Sequence, residues 1–344
     1  MAFLSKGKQT QREEDVGGKT VTRYTPFFAI LVFLPVFLMV VWGIPRSDTY
    51  LYLSMFQRLP TGLIEGCRAA ITSKGPAFTM IGVFVKSIFR ANNTIYRFLI
   101  ALIHTVPTLT IFRRYSDDYI FTIYVFLAQG MHLAWMMNGL RQYIAVVIIF
   151  AATPWIIEKK YTRVIALILL AAAFHKSALF MLFVIFVVNG KTWNRRTLIF
   201  IVLTILAALL FSRNISIFDS IAEHMGYSVD ALREYGDYGV NPIRVLVSSV
   251  PLVLAFISRE TLKEQDDKLI NICVNMSVIT TGVMLLAAVT SGITVGRMGI
   301  YTSLYNLILL PHVIESYFTE NNIKVVKITA VILYFIYFCI ERGF

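Results

Sequence analysis

"NGLRQYIAVVIIF", residues 138 to 150, is the stretch on which the fold turns. Asn138 is a good helix N-cap, which makes Gly139, Leu140 and Arg141 the first three helical positions, and the run after them is almost wholly apolar. A helix apolar on every side is either the centre of a large core or a membrane span. Arg141, in the first turn, stands against the helix's own dipole, whose positive end favours acids by about 0.3–1 kcal/mol. Either the guanidinium reaches for water and headgroups, or an anion sits at that end of the helix.

Composition selects the membrane. Of 344 residues 57% are hydrophobic, with 26 Phe and 17 Tyr, and the mean hydropathy of +0.69 exceeds what a soluble domain could cover with polar surface. The net charge of +12 would fit nucleic acid in a soluble chain. Here the basic residues gather in short loops between apolar runs, as membrane orientation requires, so nucleic-acid binding is set aside. Cys67, Cys273 and Cys339 lie far apart in unlike segments and form neither a disulfide framework nor a metal-ligand pair.

The expected architecture is all-α and polytopic. Candidate spans are 26 to 44, 95 to 112, 118 to 137, 139 to 157, 162 to 175, 177 to 189, 197 to 211, 242 to 258, 268 to 290, 295 to 314 and 323 to 340. That makes about eleven transmembrane helices, several of them shorter than the ~20 residues a bilayer asks for. Residues 1–25 read as a cytoplasmic N-terminal tail, and 26–344 as a single multi-span membrane domain with a larger periplasmic loop at 212–241. The segment 76 to 91, "PAFTMIGVFVKSIFRA", is short and carries Lys86 and Arg90, so an interfacial or re-entrant helix suits it. With that segment not crossing, the basic loops "FRRYSD" (112–117), "EKKYTR" (158–163), "KTWNRR" (191–196), 258–268 and "ENNIKVVK" (320–327) all fall on one face. The positive-inside rule makes that face cytoplasmic.

The opposite face then receives the unusual chemistry. Asn241 followed by Pro242 places Arg244 at a third helical position, and Thr294 followed by Val295 and Gly296 does the same for Arg297. With Arg141, three arginines sit in the first turn of helices that begin on one face. A phosphate satisfies both features, because free backbone N–H groups and a guanidinium fork both donate to its oxygens. A lone arginine there is better read as snorkelling to headgroups; three in one frame favour the anion. His175 ends the helix "VIALILLAAAFHKS" on the same face, beside Lys176. Of the outer carboxylates, Asp48 stands apart in "IPRSDTY", just beyond the first span, as a general-base candidate. The loop 212–241 mixes acids with Tyr227, Tyr235 and Tyr238, a composition that suits sugar faces and hydroxyls and equally any structured loop.

Three stretches carry a resemblance. "NGLRQYIAVVIIFAA" (138–152), "IIEKKYTRVIALILLAAAFHKSALF" (156–180) with its FHxSAL turn, and "GRMGIYTSLYNLILLP" (296–311) resemble the EpsG or Wzy type of bacterial polysaccharide polymerase. "SDTYLYLSMF" (47–56) and "KGPAF" (74–78) agree in order and spacing, although the first lacks a glycine expected near the acid and the second departs from the usual acid-Pro-Gly form. The resemblance implies a metal-independent, cofactor-free glycosyltransferase of the bacterial inner membrane, active on the periplasmic face. It would transfer a growing glycan from an undecaprenyl diphosphate carrier to a carrier-linked repeat unit, in membrane lipid and with a chain-length regulator as partner protein. The residues it matches are Asp48, Arg141, His175 and Arg297 as catalytic groups, with Gln142 and Tyr301 contacting substrate. The helix-start pattern adds Arg244, and loop composition adds Tyr235 and Tyr238. A lipid-linked oligosaccharide flippase is the main rival from another class, and a membrane acyltransferase using His175 a third.

Overall fold

The computed structural model describes residues 11–16, 19–44, 48–73, 75–213, 239–292 and 295–342. Tyr235, Tyr238, Thr294 and most of the expected loop 212–241 lie outside the described residues. The chain divides into two compact units: Met1–Leu179 with Lys324–Phe344, and Phe180–Ile323.

The first unit opens on a two-stranded antiparallel hairpin, β1 (Gln11–Val16) and β2 (Lys19–Tyr24), with Val16 opposite Lys19. The stretch expected as a tail therefore contains the one departure from an all-helical chain among the described residues. Its end is fastened to the membrane helices: Arg113 Nε donates to the Tyr24 carbonyl at 2.6 Å and Arg23 Nε to the Arg114 carbonyl at 3.1 Å. The helices α1 (Pro26–Trp42), α2 (Asp48–Arg58), α3 (Leu63–Ile71), α4 (Pro76–Phe89) and α5 (Asn93–Tyr115) follow. Then come α6 (Tyr119–Gln129), α7 (Met131–Asn138), α8 (Leu140–Ala151), α9 (Thr153–Ile157) and α10 (Tyr161–Phe174). Asn92 and Asp118 cap α5 and α6, accepting from Ile95 N and Phe121 N at 3.0 Å each, which satisfies donors the first turns leave over.

Residues 45–66, read from sequence only as an outer segment, supply α2 and the start of α3. Thr49, Leu53 and Phe56 recur at helical spacing and are the buried face of α2, with Tyr52 and Leu59 partly buried beside them. Leu53, Phe56, Phe78, Val85, Tyr96, Ile100, Leu140 and Ile144 make one buried cluster in which α2, α4, α5 and α8 meet. Phe56 stacks flat on Tyr96, centroids 4.3 Å apart, and Tyr52 stands edge-on to Phe78 at 5.2 Å; such pairs add about 0.5–1.5 kcal/mol each.

Lys86, expected to keep α4 at the interface, is instead buried. Its ammonium donates to the Gln57 carbonyl at 2.6 Å and the Leu59 carbonyl at 2.5 Å. It is thus the C-terminal cap of α2, satisfying carbonyls that the last turn leaves without partners. Lys86→Met keeps the bulk and strands those acceptors, a loss of about 1–3 kcal/mol. The expected result is a lower unfolding midpoint in detergent; an unchanged midpoint would show that water replaces the ammonium.

The second unit holds α11 (Phe180–Val188), α12 (Arg195–Arg213), α13 (Pro242–Ile257), α14 (Arg259–Gln265), α15 (Lys268–Val289) and α16 (Ile300–Tyr317). The last helix, α17 (Glu320–Arg342), belongs almost entirely to the first unit. Polar side chains join these helices where lipid offers no hydrophobic drive. Thr280 and Thr302 hydroxyls meet at 2.7 Å, Asn306 donates to the Ser248 carbonyl at 3.0 Å, and Asn275 donates to the Val188 and Lys191 carbonyls at 3.1 Å each. At the loop end, Lys191 lies 2.8 Å from Asp266, and that ammonium, with Asn271, holds the carboxyl below its usual range.

By length and hydropathy α5, α15 and α17 can each cross a bilayer, and five spans result if the bent pairs α6–α7 (66°) and α13–α14 (70°) each count as one. All eleven expected stretches are helical, but reaching that number of crossings would require shorter apolar segments such as α1, α8 and α10 to cross as well.

Candidate functional site

The frame inferred for the arginines needs correction at two of its three positions. Asn138 does not cap α8; it is the last residue of α7, and Gly139 (φ −95°, ψ 47°) is the break from which α8 starts. Arg141 is therefore the second helical residue. Glycine outcompeted the asparagine cap because the helix before it runs up to the break. Arg297 lies in a separate 3₁₀ turn, Gly296–Met298, and α16 starts only after Gly299. Arg244 stands as expected, at the third helical position counting from Pro242, with the Asn241 side chain accepting from Ile243 N at 2.9 Å. Arg244 and Arg297 belong to the second unit, with Tyr301 buried one turn beyond Arg297.

Arg141, in the first unit, has well-defined surroundings. Its Nε donates to the Tyr52 hydroxyl at 3.3 Å, with the guanidinium carbon 5.4 Å from the centre of that ring. It lies against Gly75, where a Cβ would stand 3.1 Å from Arg141 Cδ and 3.3 Å from the Phe174 carbonyl oxygen. Gly75 thus sets the start of α4 against both this arginine and the residue before His175. The backbone under it is held from α5: the wholly buried His104 places Nε2 3.2 Å from the Leu140 carbonyl. A carbonyl only accepts, so that nitrogen carries the proton. The imidazole, edge-on to Tyr143 at 5.1 Å, fastens the first residue of α8.

Arg141 opens onto a cavity of about 580 Å³, within the range of ligand pockets. Tyr52, Thr72, Ser73, Thr79 and Tyr96 line it together with Met55, Phe56, Leu59, Pro60, Ala69 and Phe78, and Arg58 is the second cation among the described lining residues. Among the described residues no carboxylate lines it. The start of α4 contributes as well, since Gly75 offers no side-chain cap and Pro76 no N–H, leaving first-turn donors beside the guanidinium. Ser73 donates to the Ala70 carbonyl at 2.8 Å and meets Thr79 Oγ1 at 2.8 Å, which ties the end of α3 to the start of α4.

Other expected residues stand near this cavity without lining it. Asp48 is the first residue of α2, one turn before Tyr52 on the same side of the helix. His175 is the C-cap of α10, its Nδ1 2.6 Å from Ser177 Oγ. Gln142 is buried beside Arg141 in α8. Among the described residues no group of three His, Cys, Asp or Glu converges as a metal-ligand set. Sequence reasoning passed over Arg58, Gly75 and His104. The period of Tyr52, Met55 and Leu59 was the available signal for Arg58, whereas nothing local marks His104.

These features define a helical membrane protein whose first unit holds a cation-lined, hydroxyl-rich and partly apolar cavity at a helix break. A family model matches residues 26–341, and the chain belongs to the EpsG family. That membership supports a polysaccharide-polymerase type of function and a membrane location. Neither a curated protein nor a solved structure matches the chain.

Proposed function

We propose that the protein is a membrane glycosyltransferase that polymerises undecaprenyl-diphosphate-linked oligosaccharide repeat units into a surface polysaccharide, at the periplasmic face of a bacterial inner membrane. The observation that carries this reading is Arg141, at the start of α8, on a cavity whose lining includes, among the described residues, two arginines and no acid. Two like charges against apolar walls repel, and an anion with an apolar chain relieves both costs.

In the reaction, a hydroxyl of the acceptor sugar attacks the anomeric carbon of the donor while the bond from that carbon to the diphosphate oxygen breaks. Negative charge grows on the leaving diphosphate, and guanidinium groups neutralise it without a metal. Arg141 takes this role. The hydroxyl's proton goes to a general base, for which Asp48 is the first choice and His175 the second. Arg244, Arg297 and Tyr301, with Gln142, Tyr235 and Tyr238, are assigned to the second carrier and the sugars. Chain length is then set with a separate regulator.

The test is conversion of a purified carrier-linked repeat unit by the isolated protein in detergent or vesicles. The expected product is a ladder of glycans with equimolar release of undecaprenyl diphosphate, unaffected by chelator. Movement of the intact carrier across a vesicle with no chain growth would overturn the proposal in favour of a flippase.

A further inference from the structure

We infer that Arg58 is a second phosphate-binding residue of the Arg141 cavity, so that the first unit alone grips an isoprenoid diphosphate headgroup through two guanidinium groups. The inference rests on the carrier reading above and adds a residue to it.

Arg58 is the last residue of α2. The ordinary duty of an arginine there is to cap the helix's free carbonyls. That duty is already taken: the Lys86 ammonium holds the carbonyls of Gln57 and Leu59. Arg58 itself makes no hydrogen bond or ion pair among the described residues, and it lines the cavity with Arg141. Among the described residues the lining holds no acid to balance it. The same lining includes Tyr52 and Tyr96, whose phenols can donate, together with the apolar Met55 and, just past the end of α2, Leu59. A diphosphate carries enough charge for two forks, and an arginine fork can hold two oxygens at once. An isoprenoid chain would run along the apolar residues of α2, where a sugar would find few partners.

The test measures binding to the purified full chain in detergent, with farnesyl diphosphate, farnesol and inorganic pyrophosphate as probes. Wild type should bind farnesyl diphosphate more tightly than either fragment. Arg58→Ala should weaken it about tenfold or more while farnesol binding and the unfolding midpoint stay put, and Arg58→Lys should recover part of the loss. Farnesyl diphosphate binding by Arg58→Ala equal to wild type would overturn the inference. Pyrophosphate bound by wild type as tightly as farnesyl diphosphate would overturn it too, in favour of a free anion site. The arms separate this idea from its premise. If Arg141→Ala loses binding and Arg58→Ala does not, only Arg58 is misassigned; if both bind normally, the carrier reading of the cavity fails.

Discussion

Arg141→Ala is expected to remain in the membrane at wild-type level and to make no long-chain glycan. The side chain contributes little to the fold. Among the described residues its one hydrogen bond, to Tyr52, is long at 3.3 Å, and the half-buried ring contact at 5.4 Å is worth about 0.5–2 kcal/mol. Its worth to a leaving diphosphate is far larger, because removing a single donor aimed at developing charge costs roughly 10²–10³ in rate. The measurement is a gel of surface glycan from a strain carrying the variant, with a membrane blot beside it. Arg141→Lys should fall between, since a point charge neutralises the diphosphate without the two-pronged geometry. Wild-type chain lengths from Arg141→Ala would remove the residue from the mechanism.

How far the sequence carries follows from which forces are local. Membrane class, the position of every long apolar helix and the family were legible, because apolar length is read residue by residue and "NGLRQ", "FHKSAL" and "GRMGIY" are contiguous. The shared frame of the three arginines was not. A cap is chosen by the geometry of the chain before it, and α7 running up to Gly139 moved the start of α8 by a residue. The roles of Lys86 and His104 were hidden for the same reason. Lys86 reads as an interfacial charge until the end of α2, about thirty residues earlier, is seen to need it. His104 meets Leu140 across a separation of 36 residues. The weakest part of the resemblance, "KGPAF", proves to touch Arg141 directly, so a departure from a motif's letters did not remove the turn from the site.

That turn yields the second large effect. Gly75→Val should cut polymerisation by about 10²-fold although it removes no charged group, the loss expected for roughly 1 Å of misplacement at a reacting centre. Backbone strain is not the cause, since Gly75 sits at φ −148°, which any residue adopts. The cause is space. A Cβ there stands 3.1 Å from Arg141 Cδ, 3.4 Å from Nη1 and 3.3 Å from the Phe174 carbonyl, which is backbone and cannot swing aside. Alanine requires the neighbours to give by a few tenths of an ångström. Valine's added methyl groups drive the guanidinium off the cavity wall, so the two should be graded in effect. Gly62→Ala is the control, because its Cβ would meet only Glu65, at an ordinary 3.5 Å, and activity should hold. Chain growth is read on purified protein at saturating substrate, so that folding yield does not enter. Were Gly75→Val to polymerise like wild type, Arg141 could not be acting from the position it holds beside this turn, and the cavity would lose its claim to the diphosphate.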